Sequence, residues 1–139
     1  PLDFMTGHRM DIASYIDEDA DIHHIFPQTY CERKNLPRIK WNSVINKTPI
    51  YASSNRSIGG HAPSIYIGTM ANKGLMQVQI QEAIESHKIN YAHLVSDDFN
   101  AYFIDRAKQL LDRIEIATGK SVSGRDSEET IREFGFSLI

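Results

Sequence analysis

Two adjacent histidines, His23 and His24, lie in an apolar run that ends at Pro27. Imidazole groups bind metal ions and accept protons near neutral pH, so one histidine could hold a metal while the other moves a proton. Successive side chains of a regular strand point to opposite faces, which would separate the two rings. Pro27 favours an irregular strand end, because it fixes its own backbone and biases that of Phe26. Such an end would let both histidines reach one site.

Two asparagines follow the histidine pair along the chain, first Asn46 and then Asn55. Residues 48–51 predict a short strand with Pro49 at an edge. Residues 53–58 are rich in helix-capping side chains, and the glycine pair at 59–60 ends any helix that begins there. In a purely structural interpretation the histidines are hydrogen-bonded core residues, Asn55 caps a helix and Asn46 stabilises a turn.

The order of histidine pair, asparagine and asparagine, with short strands before a helix start, resembles the HNH nuclease motif. That motif is a ββα hairpin-plus-helix around one divalent ion. The resemblance extends over roughly residues 1–120 to the C-terminal HNH region of GmrSD-type restriction endonucleases. The similar segments are DIHHIFP (21–27), SVINKTP (43–49), NRSIGG (55–60), APS (62–64) and DDF (97–99).

This resemblance implies a role for each of the four polar side chains. His24 would be the general base, and His23 would be a metal ligand. Asn55 would be the second protein ligand through its side-chain oxygen. Asn46 would brace the loop and orient the base without touching the metal. The cofactor would be one divalent ion, Mg²⁺ or Mn²⁺, although imidazole also tolerates Zn²⁺ or Ni²⁺.

The charge distribution supports an anionic partner near the same residues. The net charge is −3, but residues 31–60 carry a local basic block against the single acid Glu32. Such a block can neutralise backbone phosphates, although a solvated surface loop would look the same. Arg56 and Lys47 adjoin the two asparagines and are candidate DNA contacts. Lys40, together with Trp41, could extend that contact.

The remaining elements predict a mostly helical domain around this core. Helices are expected over 63–70, 75–88 and 97–118, with residues 90–95 as a connector. Ser96 would cap the last of these, Asp97 and Asp98 would lie in its first turn, and Gly119 would end it. Its apolar stripe is predicted to be core and comprises Phe99, Tyr102, Phe103, Leu110, Leu111, Ile114 and Ala117.

The predicted fold class is α+β, with a ββα-metal (HNH) core embedded in helices. The HNH nuclease domain would span residues 1–120, with the motif core at 20–60 and a helical wrapper at 63–119. A lead-in over 1–20 carries an acidic run at 17–19. A C-terminal tail at 121–139 would begin as a linker and then form a short helix over 128–136.

Composition excludes several classes of protein. A single cysteine, Cys31, rules out an intrachain disulfide and a four-cysteine zinc site. No apolar run approaches the roughly 18 residues of a membrane span, and the expected compartment is the cytoplasm. His61, flanked by glycines and a proline, is a weaker candidate for a third metal ligand. His8, His87 and His93 lack a motif context, and a surface or interhelix role is expected for each.

The leading hypothesis is a metal-dependent DNA endonuclease that nicks or cuts phosphodiesters. Through the family resemblance it would be the nuclease part of a bacterial restriction or anti-phage defence protein. Its N-terminal DNA-sensing, nucleotide-hydrolysing domain would be missing from this chain. The alternatives are a non-catalytic nucleic-acid-binding or partner-docking domain on the same fold, and a nuclease that acts on RNA.

Overall fold

The computed structural model describes residues 1–11 and 20–139. Strand β1 (Asp21–His24) pairs antiparallel with strand β2 (Lys47–Ile50), and His24 lies opposite Lys47. Within the described residues the two strands form a sheet of their own. Both are therefore edge strands, which tolerate a proline such as Pro49. The predicted acidic run at 17–19 lies outside the described residues.

Helices account for most of the regular structure in the described ranges. No helix there is both long and apolar enough to cross a membrane. The fold is mixed α+β and mostly helical, as the sequence predicted. The helices are α1 (Gln28–Arg33), α2 (Arg38–Trp41), α3 (Ala52–Ile58), α4 (Pro63–Asn72), α5 (Gln77–Glu85), α6 (Tyr91–Val95), α7 (Phe99–Thr118) and α8 (Glu128–Phe134), with a 3₁₀ turn at Val44–Asn46.

The longest helix begins at Phe99, two residues later than predicted. Helix α7 begins after Asp98, whose carboxylate accepts a hydrogen bond from the Ala101 amide at 3.1 Å. Ser96 instead ends helix α6, in a segment predicted to be a connector. Asp97 has a positive φ of 54° and accepts hydrogen bonds from the Ser64 amide and hydroxyl at the start of α4. Side-chain bonds to a distant helix therefore decide which aspartate caps α7.

The apolar stripe of α7 is buried only in its first half. Phe99, Tyr102 and Phe103 belong to the core, as predicted. Ile114 is 49% exposed and Ala117 is exposed, so the prediction is wrong at the C-terminal end, and Leu110 and Leu111 are half-buried. This half of the helix lines an open cavity of about 600 Å³ together with the C-terminal segment, Val44 and Ile45.

The C-terminal segment packs against α7. Arg125 pairs with Asp112 at 2.8 Å and with Glu115 at 3.2 Å. Phe134 on α8 stacks on Phe103, with 5.7 Å between ring centroids. These contacts cover part of the otherwise exposed second half of α7.

His87 joins three parts of the fold in its neutral form. Its Nε2 donates to the Leu2 carbonyl at 2.5 Å, so its Nδ1 must accept the Thr48 hydroxyl hydrogen at 2.6 Å. Burial lowers the pKa of His87 to about 4. The sequence predicted a surface or interhelix role for His87; the structure shows a buried side chain that joins β2 to the N-terminal segment.

The low pKa of His87 predicts an acid-labile fold. Above pH 6.5 the side chain is neutral in both states and contributes no pH dependence. Between pH 6.5 and about 4 this histidine is protonated in the unfolded chain but stays neutral in the folded chain. The free energy of unfolding therefore decreases as the pH falls, by up to about 3 kcal/mol. Urea titrations at several pH values would measure this slope. His87→Gln should flatten the pH dependence in that window, and an identical slope in both proteins would contradict the assignment.

Candidate active site

Asn46 fixes the chain at the point where β1 ends. Its side chain is fully buried, and it accepts the Phe26 amide hydrogen at 2.9 Å while donating to the Phe26 carbonyl at 3.0 Å. It also donates to the Trp41 carbonyl at 2.9 Å and accepts from the Tyr102 hydroxyl at 3.0 Å. All four hydrogen-bonding positions of the amide are therefore filled. Because two bonds go to one residue just past His24, Asn46 holds the bend that follows the histidine pair.

The bend brings three of the predicted site residues to one cavity. His23, His24 and Asn55 all line a cavity of about 210 Å³. A regular strand would place neighbouring side chains on opposite faces. His24 is the last residue of β1, however, and the chain bends at Ile25, so both histidines line the same space. The rest of the lining is Pro27, Gln28, Thr29, Ile58, Gly59 and Gly60.

His23 and Asn55 leave polar atoms unused in this cavity. The Nε2 atom of His23 is buried and has no hydrogen-bond partner within the described residues. Such an orphaned nitrogen is costly unless something absent from the protein chain binds it. Asn55 is the fourth residue of α3 and not its cap, which is Tyr51. Its side chain is therefore not used to cap α3.

His24 is oriented by a residue that the sequence pattern did not single out. Its Nε2 lies 3.2 Å from the Asn42 side-chain oxygen, and its ring packs edge-on against Trp41 with 5.6 Å between centroids. An amide oxygen can only accept a hydrogen bond, so this contact requires the proton on Nε2. The lone pair then lies on Nδ1, which makes Nδ1 the basic atom.

The glycine pair after α3 keeps one wall of the cavity free of side chains. Gly59 has a φ of +56°, a backbone conformation that side chains disfavour. A Cβ at Gly60 would lie 3.0 Å from the Thr29 Cβ, so a larger residue there would press on the opposite wall. The Gly60 carbonyl accepts a hydrogen bond from Arg33 at 3.3 Å, which puts a cation beside the cavity.

Two side chains of helix α7, one turn apart, form hydrogen bonds with the segment at 44–47 that precedes and begins β2. Tyr102 bonds to Asn46, and Arg106 donates to the carbonyls of Val44, Ile45 and Lys47. Arg106 is buried, and burial lowers its pKa from the ordinary value. The supporting role of Arg106 was not predicted from the sequence, because a charged residue within an apolar stripe is expected to face solvent. The available signal was its i, i+4 spacing from Tyr102.

The N-terminal segment supports the helix that carries Asn55. Asp3 is fully buried, and its carboxylate accepts hydrogen bonds from the Tyr51 amide at 3.1 Å and the Ser54 hydroxyl at 2.6 Å. It also accepts three hydrogen bonds from its own loop, from the Met5 and Thr6 amides and the Thr6 hydroxyl. Asp3 thus ties the start of α3 to the N-terminal segment.

The three predicted nucleic-acid contacts are not among the residues that line the cavity. Arg56 is exposed beside Asn55 on α3, and Lys47 lies opposite His24 in the strand register. Lys40 is half-buried on α2. Trp41 is only 3% exposed and belongs to the core, so its predicted role in extending that contact is wrong. His61 is exposed and is not among the residues that line the cavity, although its ring lies next to Gly59, which does line it.

Of the cavity beside α7 and the smaller cavity at β1, only the smaller one is lined by histidines. The lining of the larger cavity beside α7 contains no histidine, cysteine or carboxylate. Within the described ranges no three histidine, cysteine or carboxylate side chains cluster closely enough to hold a metal ion by themselves. A metal at the smaller cavity would therefore rely on one imidazole, one amide oxygen and non-protein ligands.

Comparison with known proteins gives one informative similarity. The chain is 30% identical to an uncharacterized protein of the archaeon Methanocaldococcus jannaschii over 136 aligned positions. The alignment covers 82% of this chain but only 23% of that protein, so the chain spans about a quarter of its relative. No family profile matches the chain. No solved structure is significantly similar to it.

Proposed function

We propose that this chain is a divalent-metal-dependent DNA endonuclease built on an HNH-type ββα core. The observation that carries the proposal is the joint lining of one cavity by His23, His24 and Asn55. These residues lie on β1 and α3, and β2 pairs with β1 between them in sequence, which matches the strand, strand, helix order of the motif. The resemblance seen in the sequence supports the same assignment.

The residues fit a metal ion with an open coordination sphere. His23 offers an orphaned buried nitrogen, and Asn55 offers an amide oxygen in the same cavity. About 210 Å³ accommodates an ion and several waters, each of which takes about 30 Å³ in the liquid. Mixed nitrogen and oxygen ligands suit Mg²⁺ or Mn²⁺, and Zn²⁺ or Ni²⁺ also bind imidazole. A bound ion would supply Lewis acidity at the scissile phosphate and stabilise the leaving oxygen.

The protein residues supply the proton transfer and the positioning. His24 takes a proton from the attacking water on Nδ1, while Asn42 keeps Nε2 protonated and holds the ring. The water oxygen forms a bond to phosphorus, the bond to the sugar oxygen breaks, and that oxygen takes a proton from solvent. Lys47 and Arg56 contact the phosphates that flank the scissile bond.

The decisive experiment is a plasmid-cleavage assay on the purified chain. With Mg²⁺ or Mn²⁺ near neutral pH, supercoiled plasmid is expected to become nicked or linear. EDTA should stop the reaction, and added metal should restore it. Plasmid that stays intact under all these conditions, both with this chain and with a longer version that carries the recognition domain, would sink the proposal. A parallel RNA substrate separates a DNA nuclease from an RNA nuclease.

A non-catalytic DNA-binding or partner-docking domain is the second candidate. It is favoured by the basic side chains of residues 33–56, which form no ion pair with a carboxylate within the described residues. This function predicts DNA binding that is salt-dependent without any cleavage. The His24→Ala variant would then behave like the wild type in every assay.

The biological setting belongs to the same proposal. The relative from M. jannaschii is about four times as long as the aligned part, so a longer polypeptide can carry recognition elsewhere. By its resemblance, the chain would serve as the nuclease part of a cytoplasmic restriction or anti-phage defence protein. An N-terminal DNA-sensing, nucleotide-hydrolysing domain would select the target.

The metal site gives a prediction that does not depend on turnover. His23→Ala and Asn55→Ala should each weaken Mn²⁺ binding by at least about ten-fold, since each removes one of two protein ligands. Isothermal titration calorimetry measures the affinity directly. His8→Ala is the matched control, because that histidine is exposed and is not among the residues that line the cavity. Equal affinities in the wild type and all three variants would contradict the ligand assignment.

A further inference from the structure

Residues 33–42 form a basic surface beside the site, here called the basic patch. This stretch carries no carboxylate. None of its cations forms an ion pair with an acidic side chain in the part of the chain that the structure describes. Its cationic residues are Arg33, Lys34, Arg38 and Lys40. Unpaired positive charge concentrated in one stretch attracts a polyanion.

Aromatic rings of the protein lie under three of these cations. Such contacts favour defined positions for the charged groups and reduce the entropy lost on binding a partner. The distances to the ring centroids are 6.0 Å from Lys34 Nζ to Tyr30, 5.8 Å from Arg38 Cζ to Trp41, and 6.0 Å from Lys40 Nζ to Phe103.

An exposed aliphatic side chain stands among these cations. Ile39 is 82% exposed, the highest value of any large apolar residue in the described ranges. A single exposed isoleucine is ordinary by itself. Ile39, however, lies between Arg38 and Lys40 on α2 and lines a groove of about 400 Å³ with Arg38 and Asn42. Asn42 is hydrogen-bonded to His24, which lines the cavity, so a single contact links the groove to the candidate site.

We propose that the basic patch binds duplex DNA and that Ile39 inserts between bases as an apolar wedge next to the scissile phosphate. Arg38 and Lys40 contact phosphates on either side of the inserted side chain. Proteins that insert such wedges offset the cost of unstacking with additional contacts to the bent duplex. This inference rests on the proposed function, and it identifies how the duplex is presented to His24.

The charge of the patch favours DNA over a protein partner. A protein docking surface has a fully buried apolar centre depleted in charge. Here one aliphatic residue is flanked by cations, as in a side chain that enters a groove between two phosphate backbones. A partner protein with an acidic surface remains a separate outcome, which the experiment below distinguishes.

The test uses the full chain with the His24→Ala substitution, so that the DNA stays intact. A short duplex labelled with 2-aminopurine reports base unstacking through its fluorescence. Added Ile39→Ala should weaken binding about ten-fold and remove the fluorescence rise, because the apolar contact is lost. Added Arg38→Gln should lower the slope of log affinity against log salt by about one. Ile116→Ala is the matched control, since Ile116 is 71% exposed at the far end of α7.

Three outcomes separate the wedge from the nuclease assignment. If Ile39→Ala and Ile116→Ala both bind and unstack DNA as the parent does, the wedge is wrong and the nuclease proposal stands. If the parent binds DNA without any rise in fluorescence, the wedge is also wrong. If the wild type neither cleaves nor binds DNA, the proposed function fails and the inference fails with it; an acidic protein captured through the patch would then identify the other partner class.

Discussion

His24→Ala is expected to reduce DNA cleavage by roughly 10²–10⁴-fold, the usual contribution of a general base. The imidazole is held by Asn42 through Nε2, which leaves Nδ1 to take the proton of the attacking water. Alanine removes that acceptor and leaves bulk water as the base. DNA affinity should change little, because His24 carries no positive charge when it acts as a base. Single-turnover cleavage and fluorescence anisotropy measure the two quantities separately.

Two comparisons make the His24 experiment specific. His8→Ala removes an exposed histidine that does not line the cavity and should cleave at the wild-type rate. His24→Ala should also keep its Mn²⁺ affinity within a few-fold, in contrast to His23→Ala. A His24→Ala protein that cleaves at the wild-type rate would show that another group takes the proton. Loss of cleavage together with loss of metal binding would instead assign His24 as a ligand.

The strands around the site could be predicted from local sequence. The apolar run before Pro27 and the edge proline Pro49 each mark a short segment, and β1 and β2 lie there. Helix α7 was predicted by its periodicity, but its start was not, because Ser96, Asp97 and Asp98 all suit a cap. Which of these residues caps α7 depends on the hydrogen bonds that Asp97 accepts from Ser64, 33 positions away.

The support around the candidate site could not be predicted in the same way. Asp3 reaches Ser54, and Arg106 reaches the carbonyls of residues 44–47, across 51 and about 60 positions. Asn42 reaches His24 across 18 positions. Such contacts cannot be predicted from local periodicity, because they depend on which helices pack together. The order of the histidine pair, Asn46 and Asn55 could be recognised in the sequence, because each lies in a short motif marked by a strand end, a turn or a glycine pair.

Asn46→Ala is expected to destabilise the protein by about 3–5 kcal/mol. The substitution leaves the Phe26 amide and the Trp41 carbonyl without a partner, and each buried orphan costs about 1–3 kcal/mol. The Phe26 carbonyl keeps only the weak hydrogen bond from the Cys31 thiol at 3.5 Å. Urea denaturation at neutral pH measures the loss. Asn100→Ala is the matched control on the exposed side of α7 and should change stability by less than about 0.5 kcal/mol. Similar small effects at both positions would contradict the bracing role.

Asn46→Asp tests the same contacts with almost no change in shape. At neutral pH a carboxylate oxygen would face the Phe26 and Trp41 carbonyls, where the amide of Asn46 donates two hydrogens. Because two acceptors then face each other, the loss of stability should equal or exceed that of the alanine variant. Burial and the two carbonyls raise the folded-state pKa of the introduced carboxyl above its unfolded value near 3.9. The penalty should therefore shrink as the pH falls through the folded pKa, since the protonated group donates one hydrogen bond. A pH-independent difference from the wild type would mean that the amide hydrogens do not hold the bend after His24.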